Sequence, residues 1–130
     1  MCPFMCSLEI SRVNDEASGV RIYRHAACLM NAMNERKGIA AARSTALSIL
    51  ASLKRELGDL DRVTAWLMVY GMVNADPGYA QTTNAINGFS DLILDLYGPE
   101  TGQHARMAVG MATLPVNNAV TIAAEVEFAP

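Results

Sequence analysis

The sequence lacks any stretch of about 18 or more uninterrupted apolar residues, which excludes a membrane-spanning helix. It also lacks positive charge: ten Lys and Arg stand against thirteen Asp and Glu, for a net charge of -3. A dedicated nucleic-acid binder carries a basic face, and this chain has little from which to build one. Aromatic residues are only 6% of the chain, too few for platforms on which bases stack. There are three cysteines, Cys2, Cys6 and Cys28, an odd number confined to the first 28 residues. Their spacing matches no zinc pattern, so reduced thiols and no metal centre are expected. No cationic segment precedes the apolar start from Met1 to Cys6, and Glu9 and Arg12 interrupt any apolar run behind it. A secretory leader is therefore not expected, and the expected location is the cytoplasm.

What is present suits one folded domain. The chain has 130 residues, 52% of them hydrophobic and 18% charged, which argues against disorder and allows a core without disulfide or metal staples. Residues 1–38 and 39–130 read differently. In the first part NDEASG (14–19) has the composition of a loop, HAACLMNAM (25–33) is compatible with a short helix, and no firm pattern precedes Gly38. In the second part Ala42, Ala46, Ile49, Leu50, Leu53 and Leu57 recur at three- and four-residue steps, which predicts an amphipathic helix over 39–57 closed by Gly58.

RVTAWLMVYGMVN (62–74) is almost uncharged and rich in β-branched and aromatic residues, as a central strand covered on both faces would be. Simple alternation puts Val63, Leu67, Val69 and Val73 on one face and Trp66, Met68, Tyr70 and Met72 on the other. Gly71 in its middle signals a bulge or a close backbone approach. ADPG (75–78) is a turn, and Ile86, Phe89, Ile93 and Leu96 mark a second helix over 82–97, ended by Gly98 and Pro99. Strands are expected over 106–114 and 119–129, joined by PVNN (115–118) as a hairpin-like turn. Two helices can cover only one face of the sheet these strands form. The apolar residues on the other face predict an oligomer assembled through its sheets.

Several segments carry a family resemblance. ASLKRELGDLDRV (51–63), GMVNADPGY (71–79), GQHARMAVGMATLP (102–115) and AVTIAAEVEFA (119–129) resemble, in order, corresponding stretches of the Rid family, also called YjgF or endoribonuclease L-PSP proteins. The resemblance implies an α+β, chorismate-mutase-like fold, with two helices on one face of a sheet and homotrimers whose ligand clefts lie between subunits. The implied chemistry is hydrolysis of small 2-imino and 2-enamino acids to 2-keto acids and ammonia, without metal or organic cofactor. The implied ligand is a small carboxylate-bearing metabolite, with no nucleic-acid or membrane partner. Family members also begin with strands bearing a Ser-Gly-Gln type motif. Residues 1–38 contain only Ser18-Gly19, so the N-terminal strands are expected to be atypical or missing, as in a divergent, truncated or frameshifted member, with a sheet edge left open.

Arg106 is the leading candidate for the site. It stands nine residues before Pro115, the spacing at which similar proteins anchor the substrate carboxylate. A guanidinium is always charged and matches a carboxylate with two parallel hydrogen bonds, although a strand-end Arg can equally pair with a surface acid. Thr121 occupies the position where similar deaminases carry a Glu that handles water or a proton at the imine carbon. A hydroxyl can hold water but is no general base near neutral pH. Glu125 and Glu127 lie too far along the strand to replace it. Asn87 resembles a cleft Asn of the family, or caps the second helix. Gly110, on the same strand face as Arg106, leaves room for a ligand or marks a bulge. His104 could move a proton, but a His at a strand start is commonly a surface residue. Arg106 without the acid fits a carboxylate-binding homologue as well as a deaminase; RNA cleavage has no electrostatic support.

Overall fold

A computed structural model describes residues 9–12, 19–26 and 35–130, the first two segments as backbone only. Cys2, Cys6, Cys28, Ser18 and most of the expected loop and short helix lie outside the described residues. His25 and Ala26, expected to open that helix, instead end a strand.

The first helix, α1 (Glu35–Leu57), begins ahead of the expected Ile39 and buries Ala42, Ala46, Ile49, Leu50 and Leu53. The buried hydroxyls of Thr45 and Ser52 donate to the carbonyls of Ala41 and Ser48 one turn back, so neither is orphaned. Gly58 closes the helix at φ +83°, its N–H donating to the Lys54 carbonyl, the left-handed cap that glycine adopts without steric cost. A short turn then carries Arg62. Its guanidinium donates to the carbonyls of Leu57 and Ala129, tying the chain end to the end of α1.

Two N-terminal strands are present: β1 (Glu9–Arg12) and β2 (Gly19–Ala26). The central strand is β3 (Val63–Asn74), followed by α2 (Thr82–Gly102), β4 (Ala105–Met111) and β5 (Val120–Phe128). The sheet runs in the order β1-β2-β5-β3-β4, antiparallel except for the β3–β4 pair. The expected N-terminal gap is therefore filled: β2 pairs with β5 along its length, and β5 is not an open edge. The alternation Val20-Arg21-Ile22-Tyr23-Arg24 is strand-like, and a search confined to one motif passes over it.

The expected hairpin between β4 and β5 does not form, because β3 lies between them. α2 returns the chain so that β4 runs parallel to β3, and residues 112–119 must then cross the end of β3 before β5 descends on its other side. Asn74 at the end of β3 bonds this crossing segment, its N–H to the Ala119 carbonyl and its side-chain amide to the Asn117 oxygen.

The face assignment along β3 also changes. Irregular pairing with β5 near Val63 and Trp66 lets Trp66 point to the helix side with Val69 and Val73, while Leu67 is exposed. Trp66 is fully buried and meets Phe89 and Tyr97 edge to face, with ring centroids 5.7 and 5.9 Å apart. Gly71 shows close approach rather than a bulge: a Cβ there would lie 2.5 Å from Ile86 Cγ1. The core is one layer between the two helices and the sheet, contributed by Ile49 and Leu53, Ile86, Phe89 and Ile93, Val69 and Val73, and Ile122 and Val126.

Gly88 sets how close the helices come. A Cβ built there would overlap the carbonyl oxygen of Ile39 in α1 and stand 2.8 Å from its carbonyl carbon. A backbone group cannot rotate away as a side chain can. Gly88→Ala is therefore expected to lower stability by about 3 kcal/mol, read as a shifted urea midpoint, although alanine is the better helix former.

Candidate functional site

β4 is an edge strand, and alternation gives it two roles. Met107 and Val109 face the side of the sheet that carries no helix; Arg106 and Ala108 face α2. On the helix-free side Tyr70, Met72, Met107, Val109, Ala123 and Glu125 outline a groove of about 370 Å³. Met107 is 49% exposed while Thr121 and Ala123 on the same side are buried, so the expected second apolar face is present and open towards the β4 edge.

Arg106 has an exposed side chain directed to the other side of β4, where its Nη1 donates to Ser90 Oγ at 3.1 Å. Ser90 is buried on α2 and lies 2.9 Å from His104 Nε2, while His104 Nδ1 lies 2.7 Å from the Gly102 carbonyl oxygen. A carbonyl only accepts, so in the neutral ring Nδ1 carries the hydrogen and Nε2 accepts from the Ser90 hydroxyl. The chain of donors thus runs from Arg106 to Ser90, from Ser90 to His104, and from His104 to the Gly102 carbonyl. Burial holds the His104 pKa below the ordinary histidine value; the Gly102 hydrogen bond opposes this shift, and the positive charge of Arg106 adds to it. Phe89 closes the ring side edge to face at 6.2 Å.

The α2 kink positions this cluster. Gly98 leaves helical geometry at φ 70°, ψ 177°, so the helix expected to stop at Gly98 resumes for one further turn to Gly102 before the chain enters β4. That turn delivers His104 beside Ser90. At the other end of the α2–β4 contact Thr82 Oγ1 donates to the Ala108 carbonyl at 3.2 Å.

The other candidates are placed as follows. Asn87 is half-buried in the interior of α2, one turn ahead of Ser90, so it does not cap the helix; Gln81 is the residue at the cap. Gly110 lies in unbroken register with Val73 and is no bulge, and a Cβ there would sit at an ordinary 3.5 Å from Ala75 and Thr82. Thr121 is buried on β5 opposite Met72, with Ala123 and Glu125 on the helix-free side. Arg106 and Thr121 therefore occupy opposite faces of one protomer's sheet, and the fold brings Arg106 together with Ser90 and His104 instead. Ser90 was not singled out from the sequence. The signals for it are its place three residues after Asn87 and the parity of His104, just ahead of β4, with Arg106.

Among the described residues no group of three His, Cys, Asp or Glu is placed to hold a metal ion, and no helix is long and apolar enough to cross a membrane.

Residues 17–127 match the family described as "YjgF/chorismate_mutase-like, putative endoribonuclease". The match begins inside the N-terminal segment that composition sets apart. Protein TCP17 of Trypanosoma cruzi is 45% identical over 92 residues, 71% of this chain; the chain spans 58% of the length of that relative. The solved structure of Atu1372 from Agrobacterium tumefaciens superposes with a TM-score of 0.83 at 29% identity, over 92% of this chain and 80% of that one. A Shewanella oneidensis protein solved as a "putative endoribonuclease" gives a TM-score of 0.81 at 24% identity, over 92% and 83% of the two chains, a likeness of fold.

His104 makes a pH prediction. Its folded pKa lies below the unfolded value of about 6.5, so between the two the unfolded chain binds more protons. Stability should rise with pH through that window and be lost as pH falls from about 6.5 towards the folded value. Urea titrations from pH 7 to 5 should show this acid loss, and His104→Gln should show less of it.

Proposed function

The chain belongs to the YjgF/chorismate-mutase-like family, and from that premise we propose that it binds small carboxylate-bearing metabolites at Arg106 and hydrolyses 2-imino or 2-enamino acids to 2-keto acids and ammonia. The observation that carries this reading is an exposed guanidinium held by its rear hydrogen bond to Ser90 on the edge strand of the sheet. One Nη group is held, and the remaining N–H donors stay available for the two parallel bonds a carboxylate accepts.

The reaction balances without a cofactor. Water adds to the C=N carbon of the imine to give a carbinolamine; a proton passes to nitrogen, the C–N bond breaks, and ammonia leaves with the 2-keto acid. Arg106 fixes the carboxylate and so the position of the adjacent carbon. Thr121 faces the other side of the sheet in the same protomer, so its hydroxyl could meet the reacting carbon only in a cleft completed by a neighbouring copy. The helix-free face supports such an assembly: exposed Met107 and Val109 flank the groove and need cover. A homotrimer joined through these faces, with the cleft at the β4 edge, accounts for both features.

A second reading is favoured by the same placement of Thr121: a carboxylate-binding protein without turnover. RNA cleavage, which the wording attached to relatives suggests, draws no support from a chain of net charge -3.

Ammonia release from an enzymatically generated 2-imino acid separates the readings. Wild-type protein should accelerate it and Arg106→Ala should lose at least about 30-fold, the scale of a bidentate charged contact. Equal rates in the two proteins would sink the hydrolase reading; calorimetric binding of pyruvate without acceleration would leave the binding protein. Light scattering coupled to gel filtration should give a mass near three protomers, and Met107→Glu should lower it by charging the joined faces.

A further inference from the structure

We propose that Ser90 and His104 are positioning residues for Arg106, forming with the Gly102 carbonyl a one-directional relay that fixes where the guanidinium points. The inference rests on the reading of Arg106 as the carboxylate anchor and adds two residues that neither composition nor family resemblance singled out for this role.

Three hydrogen bonds in series carry it: Arg106 Nη1 to Ser90 Oγ at 3.1 Å, Ser90 to His104 Nε2 at 2.9 Å, and His104 Nδ1 to the Gly102 oxygen at 2.7 Å. Each link dictates the next. The carbonyl accepts and so sets the tautomer of His104; that tautomer leaves Nε2 an acceptor and directs the Ser90 hydrogen towards it; the serine lone pairs are then left for Arg106. An arginine on an exposed edge strand otherwise has many rotamers, and ordering it costs free energy when the ligand binds. A guanidinium already held at one nitrogen presents its other donors with that cost met in the folded protein.

The groups at the imidazole favour its neutral form. Gly102 and Ser90 engage its two nitrogens, the Phe89 ring lies against it, and among the described residues the charge acting on it is the cation of Arg106. A protonated ring would donate from Nε2, and the Ser90 hydrogen would have to find another acceptor in a buried site. The relay therefore works in one protonation state.

The test joins a ligand-free and a ligand-bound measurement on the full chain. Nitrogen-15 spectra of the imidazole at pH 7 should show a neutral His104 with its hydrogen on Nδ1. Pyruvate, as the probe, should bind Ser90→Ala about five- to tenfold more weakly than wild type, the scale of one ordinary hydrogen bond lost behind the anchor rather than of a direct charged contact. Ser90→Thr, which keeps the hydroxyl, should recover most of the loss. A merely structural serine would lower the unfolding temperature and leave the pyruvate affinity of the folded protein unchanged. Wild-type affinity in Ser90→Ala, or a hydrogen on Nε2, overturns the relay. If Arg106→Ala also binds pyruvate as wild type does, the anchor reading itself has failed; if only Arg106→Ala is weakened, the anchor stands and the relay falls.

Discussion

A twelve-residue apolar strand needs partners on both edges and cover on its buried face, and that constraint on β3 arranges the rest of the molecule. β5 takes one edge and β4 the other, the latter reached by the α2 crossover, which places β4 at the rim of the sheet. The two helices then occupy one face, and on the opposite face Met107 and Val109 at the β4 edge stay exposed. A rim strand flanked by a helix on one side and a groove on the other is open to solvent from two directions. Arg106 lies on that strand, tethered to the helix.

Much of this was legible before the structure. The three- and four-residue spacing from Ala42 to Leu57 gives α1 because burial of one stripe is the dominant force on an amphipathic helix. The uncharged run 62–74 gives β3 for the same reason. What simple alternation misses is local irregularity: disturbed pairing near Trp66 moves that residue to the helix side, and a period-two count has no means of registering it. The β4–β5 connection misleads because turn chemistry in PVNN describes the local bend, whereas strand order depends on which neighbour buries more of β3. β2 is harder to read because Val20-Arg21-Ile22 alternates over only a few residues and lacks the Ser-Gly-Gln type motif that the resemblance calls for.

The site divides in the same way. Arg106 stands out through resemblance, by its nine-residue spacing to Pro115. Ser90 does not, because a serine inside a helix carries little information until the facing element is known. His104 reads as a surface residue from its position at a strand start, and only the extra turn after Gly98 turns it inward. The pairing of Arg106 with Thr121, carried over as a functional unit, separates across the sheet once parity is counted on both strands.

The contact between Gly88 and Ile39 bears on how such a site can diverge. α2 carries Asn87 and Ser90 on either side of Gly88, so their placement is referenced to the backbone of α1, a helix with no residue in the cluster. Substitutions along that stripe can change the side chains around Arg106 while the frame stays put. A change at the crossing point would instead translate the whole stripe at once. Within a lineage this separates two kinds of drift: gradual exchange of side chains around Arg106, and rare jumps in which α2 reseats and a different set of residues faces Arg106.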